Sequence, residues 1–224
     1  MYVTPNGGLV PPKPPSYERK VAKGRKHHFT GQMNVGEAGD ARTIDIESNT
    51  EIEFGLVLEM RRDVVDLENQ VPFAWVDEHG KSATHFFDFR ANMRDGSRMA
   101  IMVKSAHALK SDRLRRELAT IAEQVMPDFA DRVFVVDETH LDPVETHNAE
   151  LLYDCRQSEP EVDALARRAI GSLTGAVPIR NLVGEIGREG QGFQAIARLI
   201  HRGDLELVRH ERISHDTLVR RRVN

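Results

Sequence analysis

Two apolar runs near the middle of the chain bracket an amphipathic segment, and the connection between them restricts the fold more than any other feature. Met99-Ala100-Ile101-Met102-Val103 and Arg132-Val133-Phe134-Val135-Val136 each have the length and composition of a buried strand. Between them, Leu109 to Val125 is charged, with Leu114, Leu118 and Ile121 on one helical face. A strand, a crossover helix and a further strand are the signature of an α/β protein with a mixed sheet flanked by helices. Upstream, Pro72–Val76 and Thr84–Phe89 flank the turn Glu78-His79-Gly80-Lys81 and read as a hairpin. Arg94-Asp95-Gly96-Ser97 then turns the chain into the Met99 run. From Thr50 to Arg62, Ile52, Leu56 and Met60 recur at helical spacing with Val57 on the same face, and Asn49 is the expected cap.

The 224 residues suit one medium domain and one small one. Met1 to Tyr17 is rich in Pro and Gly, so residues 1–18 are expected to form an extended or disordered arm. Residues 19–157 then hold the α/β domain, with a boundary near Gln157-Ser158-Glu159-Pro160. After it, Val162–Ile170, Ile179–Ile186 and Phe193–His201 read as three short helices. Leu205-Glu206-Leu207-Val208 follows as a strand, with its return expected near Ile213. Three helices and a hairpin over residues 158–224 match a winged helix-turn-helix. Its candidate recognition helix, Gln191 to His201, would bring Gln194, Arg198 and Arg202 to a DNA groove. Glu206, Glu211 and Asp216 on the wing suit protein contacts instead, so both partners stay open. The Gly184 to Gly190 segment has Gly-x-x-Gly spacing but follows a helix, which makes it a helix connection and not a nucleotide loop.

A net charge of −4 argues against a nucleic-acid coat protein, yet the charge is unevenly placed. Lys20, Lys23, Arg25, Lys26, His27 and His28 form one basic cluster and Arg220, Arg221 and Arg222 another. Such clusters neutralise phosphates and release counterions, or simply stay solvated. The single cysteine, Cys155, has no partner for a disulfide within the chain. No apolar run is long enough to span a bilayer, and the N-terminal stretch lacks the apolar region of a secretory signal. A cytoplasmic protein with no membrane partner is the expectation.

The chemistry-bearing residues are Glu51 in the first turn of the first helix, Asp88 at the end of the hairpin's second strand, and Lys104 at the end of the next strand. Neighbouring strand ends can bring Asp88 and Lys104 together, and a helical Glu can close the group. Glu51 and Asp88 supply oxygen donors of the kind Mg²⁺ prefers, with Mn²⁺ as a substitute. Lys104 would steady the charge of a phosphodiester under attack. Taken alone, an Asp and a nearby Lys are equally a strand cap and a surface side chain.

The order Glu47-Ser48-x-x-Glu51, Phe54, Leu58-Glu59, Val64-Val65, Glu68-Asn69-Gln70, Phe87-Asp88-Phe89, Ile101-x-Val103-Lys104 and Ala106-x-Ala108-Leu109 resembles the TnsA family. Members are endonuclease subunits of heteromeric bacterial transposases. The resemblance runs from about Arg25 to the C-terminus and is tightest from Glu47 to Leu109. It implies a restriction-endonuclease-like core of the PD-(D/E)xK type and a C-terminal winged-helix domain. It also implies Mg²⁺-dependent cutting of one strand of double-stranded DNA at each transposon end, beside a DDE-type transposase and a regulatory ATPase. The family's catalytic residues fall on Glu51, Asp88 and Lys104. The sequence departs from the family where its Gln or Glu ligand falls on Met102, a soft thioether ill suited to Mg²⁺. Either Glu51, Asp88, water and the Val103 carbonyl hold the metal with weakened affinity, or Glu47 stands in, or the chain is an inactive subunit that binds DNA and partner proteins as an assembly or regulatory factor.

Overall fold

The computed structural model describes residues 2–3, 9–14, 31–36 and 39–222. The basic cluster of Lys20, Lys23, Arg25 and Lys26 lies outside the described residues. Contacts divide the chain into two units, one running to Leu141 and the other from Asp142, with Met60–Arg62 grouped in the second.

The first unit opens with β1 (Tyr2–Val3) and β2 (Leu9–Val10), which pair antiparallel. Lys13 lends its N–H to Ala41 O and its carbonyl to Thr43 N, so this part of the expected arm is hydrogen-bonded. The hairpin of β3 (Gly31–Val35) and β4 (Arg42–Ile46) comes next. Met33, Val35, Ile44 and Ile46 are buried. Then come α1 (Asn49–Met60), β5 (Val64–Val76), β6 (Ser82–Met93) and β7 (Arg98–Val103). The helix α2 (Asp112–Gln124) leads to β8 (Arg132–Val136). The central sheet has the order β5-β6-β7-β8, with β7 and β8 parallel and the other neighbours antiparallel, a mixed sheet flanked by helices. α2 starts at Asp112 because the Ser111 side chain accepts from Leu114 N, the bond that marks an N-cap. β8 is a sheet edge, not the strand buried on both faces that its apolar run suggests. Val133 and Val135 pack on the α2 core, while Phe134 is 40% exposed on the other side.

The second unit contains α3 (Pro143–Cys155), α4 (Pro160–Gly171), β9 (Ala176–Pro178), α5 (Ile179–Ile186), α6 (Glu189–Arg202), β10 (Leu205–Leu207) and β11 (Leu218–Arg221). Its sheet has the order β10-β11-β9, antiparallel throughout. The division at Leu141 and Asp142 falls earlier than the boundary expected near Gln157. The reason is α3: Leu151 and Leu152 pack on this unit's core, and Asn148 bonds Glu211 O and Ile213 N. The Gln157 stretch is only a turn between two helices. The return strand also differs, lying at Leu218–Arg221, while Ile213 is a buried core residue in the preceding loop.

Arg198 corrects a larger expectation. Its side chain is 3% exposed, with Nε 2.7 Å from Asp163 Oδ1 and Nη1 donating to Cys155 O at 3.0 Å. Ser158 Oγ donates to the other Asp163 oxygen, and these bonds hold the acid below the usual carboxylate range against the opposing effect of burial. Arg198 therefore faces the interior and cannot read a groove. Removing one partner of a buried pair strands the other charge, so Arg198→Ala should cost about 3–5 kcal/mol. Denaturant unfolding checks this; a loss below about 1 kcal/mol would mean that water reaches the pair.

Candidate functional site

The local sequence Ser48-Asn49-Thr50-Glu51 sets the first carboxylate. Ser48 Oγ accepts from Glu51 N at 3.1 Å, and the Glu51 carboxylate accepts from Ser48 Oγ and from Glu47 N. This is a variant of the capping box, with Ser48 and not Asn49 as the cap. Gly55, one turn along α1, lets the helix lie close to the sheet: a Cβ there would sit 2.7 Å from Met33 Sδ and 3.3 Å from Phe89 Cζ. That close approach carries Glu51 inward until only 6% of it is exposed.

Asp88 comes from β6 and Lys104 from the residue after β7. Asp88 Oδ2 accepts from Val103 N at 2.7 Å and from Lys104 Nζ at 3.2 Å, while Lys104 Nζ also donates to Val103 O at 2.8 Å. The Asp88 side chain is 9% exposed and the Lys104 side chain 27%. Lys104 is held from behind by its own N–H, which donates to Val136 O, and Ala106 N donates to Glu138.

Asp88 owes this position to a change of face in two paired strands. Side chains two apart on a regular strand share a face. In β5, however, Asn69 reaches Asp45 O on β4, whereas Phe73 and Trp75 pack on the α2 core. In β6, Phe87 packs with Leu118 and Ile121 of α2, whereas Phe89 meets Gly55 of α1. Arg90 returns to the α2 side, with its guanidinium 4.9 Å from the Phe129 ring centroid. Both strands switch between Asn69↔Phe89 and Val71↔Phe87, the pairs that bracket Gln70 and Asp88. Gln70 has φ of 51° and is fully buried. A left-handed conformation at a non-glycine residue costs roughly 1–2 kcal/mol, and such strain gathers at functional sites.

Met102 sits in the α2 core with Phe87, Ala100, Leu118 and Ile121 and is fully buried. It is a packing residue in this structure. Among the described residues, no three His, Cys, Asp or Glu side chains come together as a metal-holding group. The donors at hand are the Glu51 and Asp88 carboxylates and the Val103 carbonyl. One or two carboxylates, completed by water and a phosphate, are a usual set for Mg²⁺, so these residues fit such an ion.

The electrostatics point the same way. Burial and then the neighbouring Asp88 charge push Glu51 up to about 7, against the opposing hydrogen bonds from Glu47 and Ser48. Asp88 thus lies near enough for its charge to weigh on the buried Glu51 carboxyl, a burden that a cation would relieve.

Elsewhere, Gln194 and Arg202 are exposed on α6, with Arg202 3.8 Å from Asp163, while Arg198 is interior. Sequence reasoning did not single out Asn69, whose Nδ2 donates to Asp45 O and, at 3.4 Å, to Asp88 O. Two consecutive amides in β5, both buried, were the available signal. Compared with known proteins, the chain matches no protein-family model and no curated protein.

Because Glu51 is raised in the folded state above its ordinary value of 4.5, folding binds a proton between about pH 4.5 and 7, and stability falls as pH rises through that window. The cost is absent below it and complete above, at most about 3 kcal/mol. Glu51→Gln should therefore raise the melting temperature at pH 8 and leave it nearly unchanged at pH 4.5. Equal shifts at both pH values would show that the Glu51 carboxyl titrates normally.

Proposed function

We propose that the chain is a metal-dependent DNA endonuclease of the TnsA type, hydrolysing phosphodiesters at the ends of a mobile element beside a transposase. The observation that carries this reading is that Asp88 of β6 accepts from Lys104, just after β7, and lies near enough to the buried Glu51 of α1 for its charge to raise that carboxyl. The restriction-endonuclease-like assignment of the first unit is part of the same proposal and draws support from its mixed sheet. For the second unit, the order helix, strand, helix, helix, strand, strand from α4 to β11 supports a winged helix-turn-helix. No helix among the described residues is long and apolar enough to cross a membrane. A cytoplasmic setting, double-stranded DNA, a DDE-type transposase and a regulatory ATPase as partners belong to this proposal.

In this reading Glu51, Asp88 and Val103 O would hold Mg²⁺ or Mn²⁺, whose contribution there would be to polarise the phosphate and acidify a bound water. Asp88 also anchors the Lys104 ammonium, which stands ready to offset charge building on the phosphate oxygens. Val103 N–H and Lys104 Nζ both bond Asp88 Oδ2. Glu51 arrives partly protonated near neutral pH and must give up that proton to serve as a ligand, so cation binding should strengthen as pH rises through 7.

A second reading, a nuclease-fold subunit without cutting activity, is favoured by Met102, which adds no oxygen donor. The test is a nicking assay on supercoiled plasmid with Mn²⁺ or Mg²⁺, repeated with the cognate transposase. Wild type should nick, and Asp88→Ala should lower the rate by at least about a hundredfold. Met102→Leu should leave cation affinity within about twofold, since volume-conserving swaps in a core are well tolerated. Cation binding by calorimetry without nicking would select the second reading, and absence of binding would remove the first.

A further inference from the structure

We propose that Gln70 is a positioning residue for Asp88 and acts through its backbone instead of its amide. Among the described residues it is the one non-glycine with positive φ, at 51°, and it is wholly inside. The pairs Asn69↔Phe89 and Val71↔Phe87 place it opposite Asp88. On either side of this position both strands present their side chains to different helices, Phe89 to α1 and Phe87 to α2. A strand held in ordinary extended geometry would keep one alternation throughout and send residues 87 and 89 to the same face. The left-handed residue changes that alternation. Asp88, at the change-over, then belongs to neither face and lies toward β7, where its carboxylate takes Val103 N–H at 2.7 Å. The β6–β7 pairing runs from Asn92↔Arg98 only as far as Phe89↔Ile101, just short of Asp88. Asn69 secures the turn from the other side by donating to Asp45 O and to Asp88 O. The consequence for cation binding rests on the nuclease reading above; the consequence for the Asp88 geometry does not.

Backbone and side-chain roles predict opposite rankings of variants. If φ is what matters, Gln70→Gly and Gln70→Asn, the residues most tolerant of the left-handed region, should preserve the arrangement. Gln70→Val, which is β-branched, should abolish it. The readout is hydrogen exchange and the amide shift of Val103 in the cation-free protein, with the α2 amide of Leu118 as reference for global opening. Gly and Asn variants should keep Val103 protection within about threefold of wild type, and Val should lower it by about tenfold or more with Leu118 unchanged. Calorimetry with Mn²⁺ should show the same ranking. Should Gln70→Val fail to fold, Gln70→Ala takes its place, with a smaller loss in the same direction. Val103 exposure in Gln70→Gly as large as in the Val or Ala variant overturns the proposal in favour of the amide. Undisturbed Val103 protection in the Val or Ala variant overturns it altogether. A wild type that binds no Mn²⁺ sinks the nuclease reading instead, and Val103 exchange still decides the role of Gln70.

Discussion

One oxygen of Asp88 accepts both the Val103 N–H and the Lys104 ammonium, and the candidate site depends on that double acceptance. A polar group so deep costs free energy unless it is hydrogen-bonded. The backbone donor gives direction, and the ammonium gives charge. Lys104 is in turn steadied by Val103 O, so the three groups fix one another within two adjacent strands. Glu51 is the member left without a cationic partner in the described contacts, and it bears the electrostatic strain of the cluster.

That arrangement follows from how the first unit builds a core on each side of its sheet. α2 covers one face through Phe87, Ala100 and Met102, and α1 meets Phe89 on the other. β7 alternates regularly between the two, with Ala100 and Met102 on the α2 side and Ile101 opposite Phe89. β5 and β6 do not, since their outer halves turn odd-numbered residues to α2 and their inner halves turn them away. The seam between the halves is where polar groups can sit inside the protein without displacing apolar packing. Asn69, Gln70 and Asp88 occupy that seam, all nine-tenths or more buried.

The parts readable from sequence were those governed by periodicity and by strong turn residues. The Met99 run, the Leu114-Leu118-Ile121 face and the Val133 run gave the parallel crossover. Gly80 and Gly96, both at positive φ, closed the two turns on either side of β6. The β3–β4 hairpin went unread although Met33, Val35, Ile44 and Ile46 alternate, because polar residues between them leave no continuous apolar run like those of β7 and β8. The face switch could not be read, since glutamine carries no preference for left-handed backbone and the switch exists only in pairing with β6. Arg198 was misjudged for a related reason. Its partners Asp163 and Cys155 lie far away in sequence, and nothing on α6 itself distinguishes an inward arginine from a groove-reading one.

Moving Arg198 inside changes what the second unit can offer a partner. From Ala195 to Ile200 every residue of α6 is buried, and α3 packs against this helix as well as α4 and α5. A helix so enclosed over its second half cannot lie along a groove. Its exposed polar residues are concentrated in the first turns and in the turn before them, at Arg188, Gln191 and Gln194, with Arg180 and Asn181 at the start of α5. Any DNA or protein contact through α6 must therefore come from its first turns or from Arg202 at its end, not from the enclosed stretch between. At α5 the first two N–H groups are already taken, Ile179 N donating to Thr217 O and Arg180 N to His215 O, so its start offers side chains and not open backbone donors. The buried Asp163–Arg198 pair thus bears on function as well as stability, because the same arginine cannot both hold α4 to α6 and reach a partner.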